Sequence, residues 1–517
     1  MNSPLISRRV FIAGALAGVG TVAATGASGI AAYQNRANTL AALAPVREYK
    51  SVNGVLRAEL TAAFGRSELN GEQVGGAMSY DGLTPGPTLR VKPGDRIILR
   101  IINKLAQPTN VHYHGMHVSP KGNQDNVFIQ INSNESYTYE VHVPKDHPGG
   151  LYWYHPHYHP DVGPQVWGGM SGLLVVEGGA ADLPEIKNLR RLAISLRNTA
   201  VEQTASGPVI AEYDQVPTQD QIHLVNGEVM PTIRMRPGES QFWQLANIGD
   251  SVFYQLELDD HEFTVVEEDG VMVWRSWQAN RLLFPPGKRF GIVVTANDRE
   301  RDFTLRSRGF YAGQFVDWPP VDLATVRVRG VRSTPTVIPE ILGTAPAWLS
   351  DTPRKRRVLT LSTRFSSGPP SFLIDGDTWE EITVDDVPKI ELGSTEEWIV
   401  RNASSKLGGN ESGESHPFHM HVNSMVVVER GNWNPATDEF TKRIKMQPRS
   451  EADTVLVPPN GYIKFKMNFA DFVGRSVYHC HILFHEDHGM MGAFDIVYPD
   501  GRGVGPQQLL PTQGHHG

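Results

Sequence analysis

The chain carries 19 histidines and a single cysteine, and most of the histidines crowd into four short segments. Two lie early: His112-Tyr113-His114-Gly115 and Trp153-Tyr154-His155-Pro156-His157. Two lie late: His416-Pro417-Phe418-His419-Met420-His421, and His479-Cys480-His481-Ile482-Leu483-Phe484-His485, which continues to Met490. Each segment contains a His-x-His pair. In a β-strand, residues i and i+2 point to one face and i+1 to the other. Each segment can therefore aim two imidazoles at one side: His112 with His114, His155 with His157, His419 with His421, and His479 with His481. Neutral imidazole is a common metal ligand, and these eight side chains are too many for one ion and suit about three. The sulfur of Cys480, between His479 and His481, must face the opposite way. There it can join His416 and His485, with Met490, or alternatively Met491, as a weak axial ligand. Two histidines, a thiolate and an axial thioether make a blue-copper electron-transfer site. One strand would then hold two metal centres back to back, roughly 10 Å or a little more apart from the strand rise. A lone His-x-His is a weak signal, but four of them, one enclosing the only cysteine, are hard to produce by chance.

These segments need strands to present them. At roughly 150 residues per domain, 517 residues suggest about three domains. Fifty glycines and 36 prolines exceed the usual share of roughly 12% and point to many turns between short strands. A pattern repeats: Asp81-Gly82, Pro85-Gly86-Pro87 and Pro93-Gly94-Asp95 precede an apolar strand, Ile97 to Ile102, ending at Asn103. It returns as Asn226-Gly227, Pro231, Pro237-Gly238-Glu239 and a strand from Phe242 to Ala246 ending at Asn247. A third copy has Asp375-Gly376, Leu392-Gly393-Ser394 and Trp398 to Val400 ending near Asn402. Repetition at this spacing means a duplicated domain and not a solenoid. Tyr137 to Val143, Gly172 to Val176, Leu256 to Val266 and Ile463 to Asn468 also read as strands, and long amphipathic helices are scarce. Regularly spaced strands with turn signals predict β-sandwiches, with domains at 46–182, 183–340 and 341–503, a linker near Arg332 to Pro339 and a loose tail at 504–517.

Composition removes several classes. Lys plus Arg number 48 against 56 Asp plus Glu, a net charge of −8, which argues against a nucleic-acid partner. One cysteine excludes an internal disulfide, a four-cysteine zinc site and a CxxC redox motif. Ser7-Arg8-Arg9-Val10-Phe11-Ile12, followed by a weakly apolar run to Ala24 and small residues to Ala32, reads as a twin-arginine export signal at 1–32; the alternative is a short membrane anchor. No later segment is long and apolar enough to span a bilayer. The expectation is a periplasmic or secreted protein, exported folded by the twin-arginine machinery, without stable membrane insertion.

The four histidine segments resemble the copper motifs of the multicopper oxidases, the family of laccases, bilirubin oxidases and bacterial cuprous oxidases, and the resemblance spans nearly all of the chain after residue 32. It implies an all-β fold of three consecutive cupredoxin-like Greek-key sandwiches. It implies four copper ions: type 1 copper at His416, Cys480, His485 and Met490; type 2 at His112 and His419; and a type 3 pair at His114, His155, His157, His421, His479 and His481, between the first and third domains. Tyr113 stands where Trp is frequent and Pro156 where Ser is frequent; neither removes a ligand. Family members carry acidic residues near Asp125 and Glu486, which become the candidates for proton delivery, against a turn-forming Asp and a solvated or ligand-orienting Glu. The implied activity passes electrons from small donors, phenols or related aromatics, through Cys480 to dioxygen. Oxidation of Cu(I) in copper tolerance is the alternative, although the 13 methionines form no rich insert. A non-catalytic exported copper-binding or scaffold protein is the alternative of another class. His117, His159, His223, His261 and His488 read as ordinary structural residues, and Ser404 to Ser415, Phe310 to Gly313 and Asp317 to Pro320 as parts of the donor rim.

Overall fold

The computed structural model describes residues 43, 46–213, 218–313, 316–364, 370–383, 387–403 and 413–503. The expected export signal and tail, and most of the Ser404 to Ser415 rim, lie outside them. Six large sheets fall into three consecutive pairs, each a five-stranded sheet facing a six-stranded one. The chain is thus all-β, three cupredoxin-like sandwiches in series. Among the described residues the only α-helices are two short ones, Val162–Gly168 and Leu483–Asp487, and no helix is long and apolar enough to cross a membrane.

The sequence repeat is visible as structure. In each sandwich a long strand pairs in parallel with the strand of the repeat: Val55–Leu69 with Arg96–Asn103, Arg190–Thr199 with Ser240–Asn247, and Lys355–Arg364 with Thr395–Asn402. The turn residues Asp81-Gly82, Asn226-Gly227 and Asp375-Gly376 all adopt left-handed backbone, which Asn, Asp and Gly reach at least cost. Each Asp or Asn also accepts from a strand N–H: Thr61, Ser195 and Thr360, at 2.7–2.8 Å. The asparagines that end the repeat strands, Asn103, Asn247 and Asn402, are fully buried and each donates to two carbonyls that close the adjoining loops.

Two expectations change. Leu256 to Val266 is not one strand: Tyr254–Leu258 and Phe263–Glu268 lie in different sheets, separated by a turn with left-handed Asp260. The hairpin Val201–Thr204 with Gly207–Ile210, assigned by position to the second domain, extends the six-stranded sheet of the first through Val209 beside Gly75. The first sandwich has its own apolar core around Leu56, Ile97, Tyr139 and Leu174. The second and third share one continuous cluster, from Trp243 and Phe284 to Trp398, Phe418 and Tyr478. Each fully buried large apolar side chain is worth about 1.5–3 kcal/mol. Trp398, Phe418, Tyr478 and Phe494 pack ring against ring at 5.8–6.3 Å, edge-on, tilted or stacked, beneath the strands that carry the late histidines, and so brace them.

Candidate metal centre

His112–His114 and Gly150–His155 are antiparallel neighbours at one edge of the first sandwich, with His112 opposite His155. His416–Met420 and Gly474–Cys480 pair likewise in the third, with His419 opposite His479 and Phe418 opposite Cys480. The two strand pairs face each other, and strand alternation delivers all eight imidazoles of the His-x-His pairs into one buried space.

The side chains sort into groups. His114, His155 and His481 bring ligand nitrogens within 4.8 Å of one another; so do His157, His421 and His479, and His112 and His419 share a third group with His114. On the opposite face Cys480 joins His416 and His485. There Cys480 Sγ is 3.6 Å from each histidine Nδ1, and the two nitrogens are 3.3 Å apart. A point equidistant from such a triangle lies about 2.0 Å from each corner, close to ordinary metal–nitrogen and metal–thiolate lengths. The loop that returns to Met490 closes on this group: Met490 N–H donates to His485 O and Cys480 N–H to Met490 O. Met490 is fully buried.

The donor chemistry fits a cation. Nε2 of His112, His155 and His419 is buried and has no hydrogen-bond partner within the chain, while the other ring nitrogen of each is tied down. His112 Nδ1 is 2.9 Å from Asp125 Oδ1, His155 Nδ1 donates to Pro156 O at 2.8 Å and His419 Nδ1 to Asp453 O at 2.9 Å. Fixing one nitrogen orients the other as a ligand. His157 Nε2 and His421 Nε2 approach His479 Nε2 at 3.2 and 3.1 Å, and His481 Nε2 approaches His114 Nδ1 at 3.2 Å. Nitrogens at such distances can share a proton or a bound cation. Burial favours the neutral form, which binds metal, in His112, His114, His155, His157, His416, His419, His421 and His481: His157 falls to about 4 and His416 to about 3. Burial also pushes the Cys480 thiol up, so a bound cation is what would hold it as thiolate.

The two carboxylates singled out from sequence are both buried here. Asp125 lies against His112 and also accepts from Tyr113 N–H at 2.9 Å; burial pushes it up to about 8. Glu486, on the helix Leu483–Asp487, is 2.9 Å from His479 Nδ1 and 3.3 Å from His157 Nε2. Burial acts to raise it, but those imidazoles outweigh it and hold it near 2.

Several contributors were not found from sequence. Glu414, only 12% exposed, reaches the outer nitrogen Nε2 of His485 at 3.2 Å, and Phe372 stacks on the same ring at 3.9 Å. Asp453 sits 3.3 Å from His114 Nε2. His117 and His159 bridge the first and third sandwiches, at 2.7 Å to Asp471 and 2.6 Å to Glu380. Asp487 accepts from Val162 and Gly163 N–H at 3.1 and 2.7 Å across the same junction. Only Glu414 had a sequence signal, standing two residues before His416 in the strand period. Of the expected rim, Ala312 O accepts from Ser415 N–H at 2.7 Å, which brings the second domain beside Glu414.

Comparisons agree with this geometry. Three multicopper oxidase family models match residues 64–181, 197–326 and 352–499. A multicopper oxidase from Staphylococcus aureus is 25% identical over 461 residues, 87% of this chain and 90% of that protein. A laccase from Bacillus subtilis is 24% identical over 480 residues, 81% and 90% of the two chains. Among solved structures, a multicopper oxidase from Campylobacter jejuni titled a metallo-oxidase superposes with a TM-score of 0.72 at 23% identity, covering 88% of this chain and 95% of that one. The multicopper oxidase of the hyperthermophile Aquifex aeolicus gives 0.71 at 21%, covering 88% and 99%. With buried imidazoles and one thiol arranged to hold cations, and family models matched across all three sandwiches, the chain belongs to the multicopper oxidases, a family of copper-binding oxidoreductases.

Proposed function

We propose that this protein is a laccase-like oxidase that takes single electrons from small donors, phenols or related aromatics, and passes them to dioxygen. The observation that carries this reading is the pair of donor sets on opposite faces of one strand, Cys480 with His416 and His485 on one side and His479 and His481 with six further histidines on the other. Four copper ions suit this inventory: type 1 copper would be held by His416, Cys480 and His485 with Met490, type 2 by His112 and His419, and a type 3 pair by His114, His155 and His481 and by His157, His421 and His479. Bound copper would supply one-electron acceptance at the first set and four-electron reduction of dioxygen to water at the second.

The chain connects, orients and supplies protons. Cys480 is bonded through the backbone to a histidine of the other set on each side, which gives electrons a short covalent route. Asp125 fixes the Nδ1 side of His112 and so turns Nε2 inward. Glu486, beside His157 and His479 and held ionised, is placed to accept and pass on protons beside that pair, and Asp125, which burial keeps protonated to higher pH, is the second carboxylate, near His112.

Glu414 favours a second reading. A carboxylate against the outer nitrogen of His485 suits a cationic donor, and the Campylobacter jejuni relative is titled a metallo-oxidase. Under that reading the donor is Cu(I) and the role copper tolerance. A scaffold role is disfavoured because no ligand position is lost. The Arg8-Arg9 segment supports export, folded, to the periplasm or beyond.

Oxygen uptake by the copper-loaded protein, with a simple phenol and with Cu(I) in matched assays, tests these readings. Faster uptake with the phenol is the expected result. Faster uptake with Cu(I) supports the second reading. No uptake with either donor, in protein carrying all four coppers, overturns both.

A further inference from the structure

Among the described residues the middle domain supplies no member of the histidine set, yet three of its consecutive residues pack against that set or the groups behind it. Gly287 has φ +83°, and a Cβ there would lie 3.0 Å from both His114 Cε1 and His481 Cδ2, so the turn packs against two ligand rings. Lys288 Nζ donates to Asp269 Oδ2 at 2.9 Å and to Thr454 O at 3.1 Å. Arg289 is fully buried and grips Asp453 of the third domain with two parallel bonds, Nη1 to Oδ1 at 2.8 Å and Nη2 to Oδ2 at 2.6 Å. Its Nε donates to Leu151 O at 3.2 Å, on the first-domain strand that ends at His155.

Asp453 in turn meets ligands from two domains. Its Oδ1 is 3.3 Å from His114 Nε2, and its carbonyl accepts from His419 Nδ1 at 2.9 Å. Thr454 Oγ1 donates to Asp453 Oδ1 at 2.8 Å and lies 3.3 Å from His419 Nδ1. The His114 and His419 rings stack at 3.9 Å, 10° from parallel. Asp269 of the middle domain accepts from the backbone N–H groups of Asp453 and Thr454 at 3.1 and 3.2 Å, which fixes this pair from behind. Gly115, directly after His114, is left-handed at φ +82°, and any side chain there would collide with both Arg289 and Asp453.

We propose that Arg289 is a positioning residue for the trinuclear set: by holding Asp453 it fixes the outer nitrogens of His114 and His419, and the middle domain thereby sets the geometry of a centre it does not ligate. A bidentate guanidinium–carboxylate pair is directional, and Lys cannot reproduce it. The inference rests on the copper assignment above. It also separates from ordinary packing, since the Cys480 set lies on the far face of its strand and should not feel the change.

The test compares copper-loaded wild type with Arg289→Lys and Asp453→Asn. The readouts are copper per chain, the blue absorption of copper at Cys480, the electron paramagnetic resonance signal of type 2 copper, and kcat and KM for the donor. Expected are unchanged blue absorption and donor KM, a shifted or weakened type 2 signal, and kcat lower by about 10- to 100-fold. Wild-type type 2 signal and kcat in both variants overturn the proposal. So does parallel loss of the type 1 and type 2 signals in both, which marks a purely structural link. If Arg289→Lys does not fold, Asp453→Asn, which keeps shape and weakens the same grip from the other side, decides by the same spectra. Absence of copper from the histidine set in wild type would instead overturn the functional assignment itself.

Discussion

On one face of the strand Gly474–Cys480, Cys480 meets His416 and His485, all from the third sandwich; on the other, His479 and His481 meet six histidines, four of them from the first. The first set is local. Its ligands lie on two adjacent strands and the short helix that follows, over the apolar cluster of Trp398, Phe418 and Tyr478. The second exists only when two sandwiches dock; Trp153 packs on His155 and Leu483 meets Val162 and Val166, but charged groups also tie the junction: His117 with Asp471, His159 with Glu380, Asp487 on the start of the helix Val162–Gly168, and Arg289 on Asp453. A site inside one core inherits that core's rigidity. A site between cores needs its own fasteners, and here they include charged groups that the local set does not need.

The contrast can be broken most sharply at Cys480. Cys480→Ser removes the sulfur that one set needs and leaves the other set's histidines untouched. Donor oxidation should fall to background and the blue absorption vanish, while elemental analysis still finds copper at the histidine set; retained donor-driven oxygen uptake would refute the division of labour. Next in size is Asp125→Asn, which loosens the hold on His112 Nδ1. Turnover or copper affinity at the histidine set should fall by about 10- to 100-fold with the blue absorption intact. An unchanged rate and copper content would show that Tyr113 and the strand alone position the ring.

Glu414→Gln sharpens the local side. A carboxylate on the outer nitrogen makes His485 a more electron-rich ligand and favours the oxidised ion. Replacing it should raise the type 1 potential, each tenfold change in preference being about 59 mV for one electron; a redox titration without an upward shift contradicts this. The smallest effect concerns a fastener. Burial alone would lower the pKa of His117, but Asp471 and the Val422 carbonyl outweigh it and raise it. Its contribution is therefore complete below the unfolded imidazole value of about 6.5 and is lost as pH climbs through the raised folded value. The pair is partly exposed, so it is worth under about 1 kcal/mol. The melting temperature of wild type should exceed that of Asp471→Asn at mildly acidic pH, and the gap should close in alkali. A gap that widened with pH would rule out a cationic His117.

Much of this was legible beforehand because strand alternation is a local rule. It placed His479 and His481 on one face and Cys480 on the other; turn chemistry, equally local, identified the repeat through Asp81-Gly82, Asn226-Gly227 and Asp375-Gly376, which adopt left-handed backbone in all three copies. The failures came where partners are distant in sequence. Leu256 to Val266 reads as one strand in sequence because an apolar run does not reveal a chain switching sheets. The Val201–Ile210 hairpin pairs with another domain's edge, which no local pattern encodes.

The sequence by itself determined the ligand types and the face each presents, since residue identity and a two-residue period suffice for both. Only the tertiary structure decided which histidines share a group, pairing His114 with His155 and His481 and His157 with His421 and His479. It alone brought Arg289, Asp453 and Glu414 to the ligand rings. The physical reason is range: backbone geometry sets side-chain direction within a few residues, whereas the meeting of charged and ligating groups from three sandwiches depends on how their surfaces dock.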